Sequence, residues 1–126
     1  MREIKFRAWD LYNECMFNVG DIDWRHCFVG EMEADHQRYL KDVILMQYTG
    51  LKDKNGLDIY EGDIIEEYLS DSEDDNYLYS GVIVYFNTEF CLKIKNDTYI
   101  KLVNTGNNLE VIGNIYQNPE LLTNTE

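Results

Sequence analysis

Basic residues are scarce in this chain: 11 lysines and arginines stand against 24 aspartates and glutamates, for a formal net charge of −13 over 126 residues. A field of that sign repels a free phosphate backbone, because nucleic-acid binding depends on Lys and Arg displacing condensed counterions. Generic binding to DNA or RNA is disfavoured. Cysteine is nearly absent too: Cys15, Cys27 and Cys91 are odd in number, widely spaced and free of any C-x-x-C pair, which argues against a disulfide framework or a redox motif. Long apolar runs are missing, and none approaches the roughly 18–20 residues that a membrane-spanning helix needs. The opening Met1-Arg2-Glu3-Ile4-Lys5-Phe6-Arg7 alternates charged and apolar residues where a signal peptide would have an apolar core, so a cytoplasmic protein is expected, with no membrane contact. No Gly-rich phosphate loop, G-x-S-x-G or His-Glu-x-x-His occurs, so neither enzymatic activity nor a cofactor is expected.

What is present suits a packed β domain. Hydrophobic residues make up 44% of the chain and aromatics 13%, enough to fill a core. Ile4 to Trp9 alternates with period two and reads as a strand, with Ile4, Phe6 and Ala8 on one face and Trp9 on the charged face. Asp10 to Asn13 reads as a turn, and Cys15 to Val19 can pair back as a hairpin. From Gly20 to Asp42 the pattern weakens, and Glu31 to Lys41, lacking Gly and Pro, allows a short helix. Val43 to Tyr48 is a β-branched apolar run with the length of a strand. Asn55-Gly56 tolerates positive φ and predicts a tight turn between the arms 50–52 and 57–60. Glu61-Gly62-Asp63 is a further turn, followed by a strand over Ile64 to Leu69. Ser70 to Asn76 has no apolar residue and four carboxylates, so it reads as a solvated loop. Strands are then expected over 78–86, 90–95, 98–103 and 109–116, and the single proline, Pro119, suits the first position of a terminal helical turn. Short strands with turn signals every few residues, and little helix-forming sequence, argue for a mainly β, antiparallel sandwich or small barrel with minor helix.

Four blocks, taken together, resemble the YopX family of phage and prophage proteins, whose function is uncharacterised. They are Ile4-Lys5-Phe6-Arg7-Ala8-Trp9-Asp10, Leu45 through Gly56, Ile59-Tyr60-Glu61-Gly62-Asp63-Ile64-Ile65, and Val111 through Leu122, in the family's order and spanning nearly the whole chain. The resemblance implies a phage or prophage origin and a small, partly open antiparallel barrel similar to the SH3 type. On that reading 1–126 is one domain, with an N-terminal hairpin and variable segment (1–42), a barrel core (43–122) and a tail (123–126). It implies no activity, and no catalytic or ligand-binding residue is carried over. The aromatic tract of SH3 peptide-binding domains is not recognisable, so polyproline binding does not follow from the shape.

Each candidate for chemistry competes with a plainer account. Glu61 and Asp63 are two carboxylates that could do acid–base work, but turn chemistry explains them without a nucleophile. Asp71, Glu73 and Asp75 alternate as calcium ligands can, yet no Gly stands sixth and Val82 stands twelfth, so the helix-loop-helix calcium motif fails. His26, His36, Cys15 and Cys27 match no zinc spacing. The aromatics Trp9, Trp24, Tyr48, Tyr60, Tyr68, Tyr77, Tyr79 and Tyr85 read first as core residues. The charge is uneven: −3 over 1–50, −8 over 51–86 and −2 over 87–126. Glu66, Glu67, Asp71, Glu73, Asp74 and Asp75 meet no basic residue, and such a field can steer a basic partner. The expectation is therefore a protein-binding surface formed by these six with Tyr68 and Tyr77, its partner a host or phage protein, with a basic host protein the natural class. The alternative is a nucleic-acid-binding barrel using Lys93, Lys95 and Lys101, or Arg2, Lys5 and Arg7 with Trp9, as a local basic face. Self-association is left open.

Overall fold

The computed structural model describes residues 3–72, 75–94, 97–102 and 108–123, with the side chains of 68–79 and 123 outside the description. Eleven strands are described: β1 (Phe6–Asp10), β2 (Cys15–Asp23), β3 (Phe28–Glu31), β4 (Gln37–Tyr39), β5 (Val43–Lys52), β6 (Asp58–Tyr60), β7 (Asp63–Ser72), β8 (Asp75–Phe86), β9 (Glu89–Ile94), β10 (Thr98–Lys101) and β11 (Leu109–Asn114). One short helix, α1 (Glu120–Thr123), closes the described chain. The fold is mainly β and antiparallel with minor helix, as expected, and among the described residues its two sheets are open, with no closed barrel. The chain divides into two compact units, Met1–Tyr48 and Thr49–Glu126.

In the first unit the strand order is β4-β3-β2-β1-β5. β1 is central, with Ala8 opposite Phe17 on β2 and Leu45 on β5. Its core is Ala8, Phe17, Val19, Val29 and Val43, with Phe6, Ile22, Leu40 and Leu45 against it. Trp9, expected on the charged face, is buried like its neighbour Ala8, so both faces of β1 are covered and alternation with charged residues did not mark a solvent face. The short helix allowed over 31–41 does not form. β4 occupies its middle and one 3-10 turn, Leu40–Asp42, its end. Pairing of Gln37 to Tyr39 with β3 supplies backbone partners that local helix propensity cannot match at that length.

In the second unit β5 continues as Thr49–Lys52 beside β6, and a five-stranded sheet runs β10-β9-β8-β7-β11. Its core is Ile59, Ile65, Ile83, Leu92, Leu102 and Leu109. The expected loop over 70–76 is instead ladder on both sides of Glu73-Asp74, which lie outside the described residues: Ser70 pairs with Asn76 and Ser72 with Asp75, with a bulge at Asp71. A two-stranded ribbon satisfies its inner backbone groups whatever its side chains are, so polarity alone does not end it.

Gly81 on β8 is needed for close approach to β9. A Cβ built there would stand 2.6 Å from the Lys93 carbonyl oxygen, a backbone atom that cannot step aside. Gly81→Ala is expected to lower stability by about 1–3 kcal/mol, read as a lower urea midpoint with unchanged slope.

Candidate functional site

Asp10, Asp53, Asp63 and Asn114 fix corners of the fold. Asp10 ends β1 and is 2% exposed; its carboxylate accepts from the backbone N–H groups of Tyr12 and Asn13 (both 2.9 Å), from Asn13 Nδ2 (3.0 Å) and from Arg38 Nε (2.6 Å). Asn13's N–H and the Arg38 guanidinium together outweigh burial and hold its pKa far below the ordinary carboxylate range. Asp53 sits under the predicted Asn55-Gly56 turn, where Gly56 has φ +85°. Its carboxylate accepts from Asn55 N (2.8 Å), Leu57 N (2.9 Å) and, far along the chain, Val111 N (3.0 Å). Burial would raise its pKa, but these three donors override it and the net shift is downward.

Asp63 is 1% exposed and accepts from Tyr60 N at 2.8 Å, while Gly62 has φ +86°. The Glu61-Gly62-Asp63 pair of carboxylates is thus turn chemistry in its geometry. Asn114 Oδ1 accepts from the N–H groups of Tyr116 (3.0 Å) and Gln117 (2.8 Å), fixing the turn before α1.

The acidic residues divide by burial. Glu66 is half-buried and lies directly across from Glu110, a like-charge pairing that raises the local negative field. Glu67 is 1% exposed and opposite Leu109, so it is withdrawn from the expected binding surface. The reason is register: period two puts residue 67 on the same side as Ile65, which belongs to the core. Asp71 stands at the β7 bulge and Asp75 opens β8. The side chains of Tyr68, Asp71, Asp75 and Tyr77 lie outside the described ones, and Glu73 and Asp74 lie outside the described residues.

The basic candidates are engaged with carboxylates. Lys93 Nζ is 3.6 Å from Asp97 and Lys101 Nζ 3.6 Å from Glu89, while Lys95 lies outside the described residues. Lys52 pairs with Asp58 (2.7 Å) and Lys54 with Glu110 (3.4 Å). At the N-terminus Lys5 is 3.6 Å from Glu3 and 4.6 Å over the Tyr48 ring, and Arg2 lies outside the described residues. Trp9 is buried, so it cannot stack on a base beside Arg7. One feature of this region has no mark in the sequence: Phe86, 46% exposed, stacks on Tyr99 at 4.0 Å between ring centroids. Only the pairing of β8, β9 and β10 brings those rings together.

The remaining candidates separate. His26 Nδ1 lies 2.9 Å from Asp23 Oδ2 at an exposed hairpin tip, and Cys15 and Cys27 form no metal-holding group with it. Among the described residues no cluster of three or more His, Cys, Asp or Glu is close enough to hold an ion. Cys91 is buried, which pushes its thiol pKa up and makes it a poor nucleophile. Among the described residues no helix is long and apolar enough to cross a membrane.

Comparison with known proteins agrees with this geometry over nearly the full chain. The family model described as "YopX protein" matches residues 5–123. The crystal structure of protein EF1440 from Enterococcus faecalis is similar at 27% identity and a TM-score of 0.66, covering 97% of this chain and 99% of that one. The structure of protein yopX from Bacillus subtilis is similar in fold, at 21% identity and a TM-score of 0.62, with 97% of each chain covered. A comparison with the curated proteins finds no match.

Proposed function

The chain belongs to the YopX protein family, and from that membership we propose that it is a non-enzymatic accessory protein of a phage or prophage that works in the host cytoplasm by binding a basic protein. The observation that carries this reading is the distribution of charge in the second unit. Between Lys54 and Lys93 the chain has no Lys, Arg or His, and the carboxylates Glu66, Asp71, Glu73, Asp74 and Asp75 fall within that stretch. Asp71, at a bulge of β7, and Asp75, opposite Ser72 on β8, stand near each other at the end of one hairpin ladder. The described lysines of the unit, Lys52, Lys54, Lys93 and Lys101, each stand within 4 Å of a carboxylate. A concentrated field of one sign raises the on-rate and selects partners of the other sign. Asp10, Asp53, Asp63 and Asn114 each hold backbone N–H groups of a turn or a neighbouring strand, which supports a structural role for these four.

The test is affinity capture from a bacterial lysate by the native chain and by a variant with Asp71→Asn, Glu73→Gln, Asp74→Asn and Asp75→Asn. The native chain is expected to retain a basic protein that the variant releases, and to lose it as salt rises past physiological strength. Equal retention by both chains sinks the reading. Nucleic-acid binding predicts the opposite behaviour: a gel shift with single-stranded or duplex DNA at low salt, with a steep salt slope. No shift is expected.

A further inference from the structure

β10 ends the five-stranded sheet, and among the described residues it has a strand partner, β9, on one side only. The opposite end of that sheet is closed differently. On β11 the Leu109 carbonyl accepts from Lys54 N (2.9 Å) and Val111 N donates to Asp53 (3.0 Å), so the β5–β6 turn takes up outward backbone groups of the strand. A bulge between Val111 and Gly113 interrupts the rest of it. Among the described residues β10 carries neither device, and unpaired backbone groups along a strand are a template for another strand.

The charge at this edge also differs from that of the whole chain. Residues 86–102 carry three lysines, Lys93, Lys95 and Lys101, against Glu89 and Asp97, whereas the chain as a whole stands at −13. Two copies that approach here meet a nearly balanced surface in place of the repulsion between their acidic stretches. Ile100 packs against the core, so alternation puts Tyr99 and Lys101 on the outer face, where Tyr99 stacks on Phe86. Asp97, at φ +54°, stands just before the strand with its side chain 83% exposed, and the Lys101 side chain is 60% exposed. Their ion pairs within the chain, with Lys93 and Glu89, are 3.6 Å long and lie in solvent, where such pairs contribute little.

We infer that β10 pairs antiparallel with β10 of a second copy, joining two five-stranded sheets about a two-fold axis at Tyr99. Side-chain face and backbone hydrogen-bond direction both alternate with period two, so residues opposed across the axis are separated in sequence by an even number of positions. Centring on Tyr99 sets Tyr99 against its own copy, Thr98 against Ile100, and Lys101 against Asp97 of the second copy. By symmetry each of the unlike contacts occurs twice. A lysine on an edge strand usually deters a second copy, which would bring its own lysine; in this register it meets an aspartate. The two Phe86–Tyr99 stacks meet at the axis, where cross-strand aromatic and β-branched pairs stabilise a sheet. So few paired residues bury little surface, and a weak dimer is expected, with Kd on the order of 100 µM. This surface is separate from the Asp71 and Asp75 end of β7 and β8 and stands independently of the reading given to it.

The test is sedimentation equilibrium of the full chain from about 10 µM to about 1 mM, with hydrogen exchange at both ends of that range. A monomer–dimer equilibrium is expected, with added protection at Thr98 to Lys101 at the higher concentration. Asp97→Lys and Lys101→Asp each set like charges across the axis and should weaken the dimer about tenfold. The double variant restores opposite charges across the axis while placing Lys93 and Glu89 each beside a like charge in its own chain, and it should recover most of the dimer. Were the single variants acting within one chain, the double variant would be the weakest of the three, and that order would overturn the pairing. A monomer at the highest concentration, or added protection on another strand in place of β10, would overturn it as well. Asp71→Asn with Asp75→Asn should leave the dimer unchanged, and a tenfold loss there would move the contact to the β7–β8 hairpin and remove it from β10.

Discussion

Asp10→Ala is expected to cost roughly 3–5 kcal/mol, the range for removing one partner of a buried ion pair, and to lower Tm by on the order of 15 °C. The cost arises in two places. Tyr12 N, Asn13 N and Asn13 Nδ2 lose the acceptor that shapes the β1–β2 turn. Arg38, 10% exposed, is left on the Phe17 ring with Glu31 at 3.8 Å as its nearest remaining carboxylate. The complementary change, Arg38→Met, should cost clearly less, because Asp10 keeps its three turn donors and the methionine keeps contact with Phe17. Urea unfolding of both variants checks the order, and equal losses would show that the pair, not the turn, dominates.

The same carboxylate gives the protein an acid-sensitive margin. Asp10's pKa is depressed on folding, so its contribution is complete above the unfolded carboxylate range near pH ~4 and is lost as pH falls below it toward the folded value. Asp53 shifts in the same direction. Stability should therefore fall with acidification below about pH 4, and Asp10→Ala should flatten that part of the profile.

The second large effect is expected at Asp53. Asp53→Ala removes the acceptor for Asn55 N, Leu57 N and Val111 N at once, and the Val111 bond joins the β5–β6 turn to β11 across 58 residues of sequence. At about 1 kcal/mol or more for each buried donor left unsatisfied, a loss on the order of 3 kcal/mol is expected. Asp53→Asn keeps one carbonyl oxygen and should recover part of it. Hydrogen exchange gives the more specific readout: the Val111 amide should lose protection in Asp53→Ala well beyond amides of the β8–β9 ladder, whereas a uniform loss would mean that Asp53 acts only on global stability.

Much of this architecture was legible from local pattern. Alternation placed β1, β9 and β10 to within a few residues, Asn55-Gly56 marked its turn, and Pro119 marked α1, because each signal lies within a few adjacent residues. The candidate surface was legible as charge but not as geometry. Glu66 and Glu67 are identical in sequence terms, and only the register of β7 against β11 and β8 turns one toward the core. Arg38 gave no sign of its role, since its partner Asp10 is 28 residues away. The helix allowed over 31–41 and the loop expected over 70–76 failed for a common reason: strand pairing supplied backbone partners that neither composition nor propensity reports.

By itself, then, the sequence determined the family, the mainly β class, the principal turns and the acidic excess of the second unit, all of which depend on residue identity and short spacing. The tertiary structure alone decided which acids fix corners, which carboxylate is buried, where Phe86 meets Tyr99 and which strand ends the five-stranded sheet. Burial and proximity in a sheet follow from register between strands distant in sequence, and a one-residue slip of β7 would turn Glu67 out of the core and Glu66 into it.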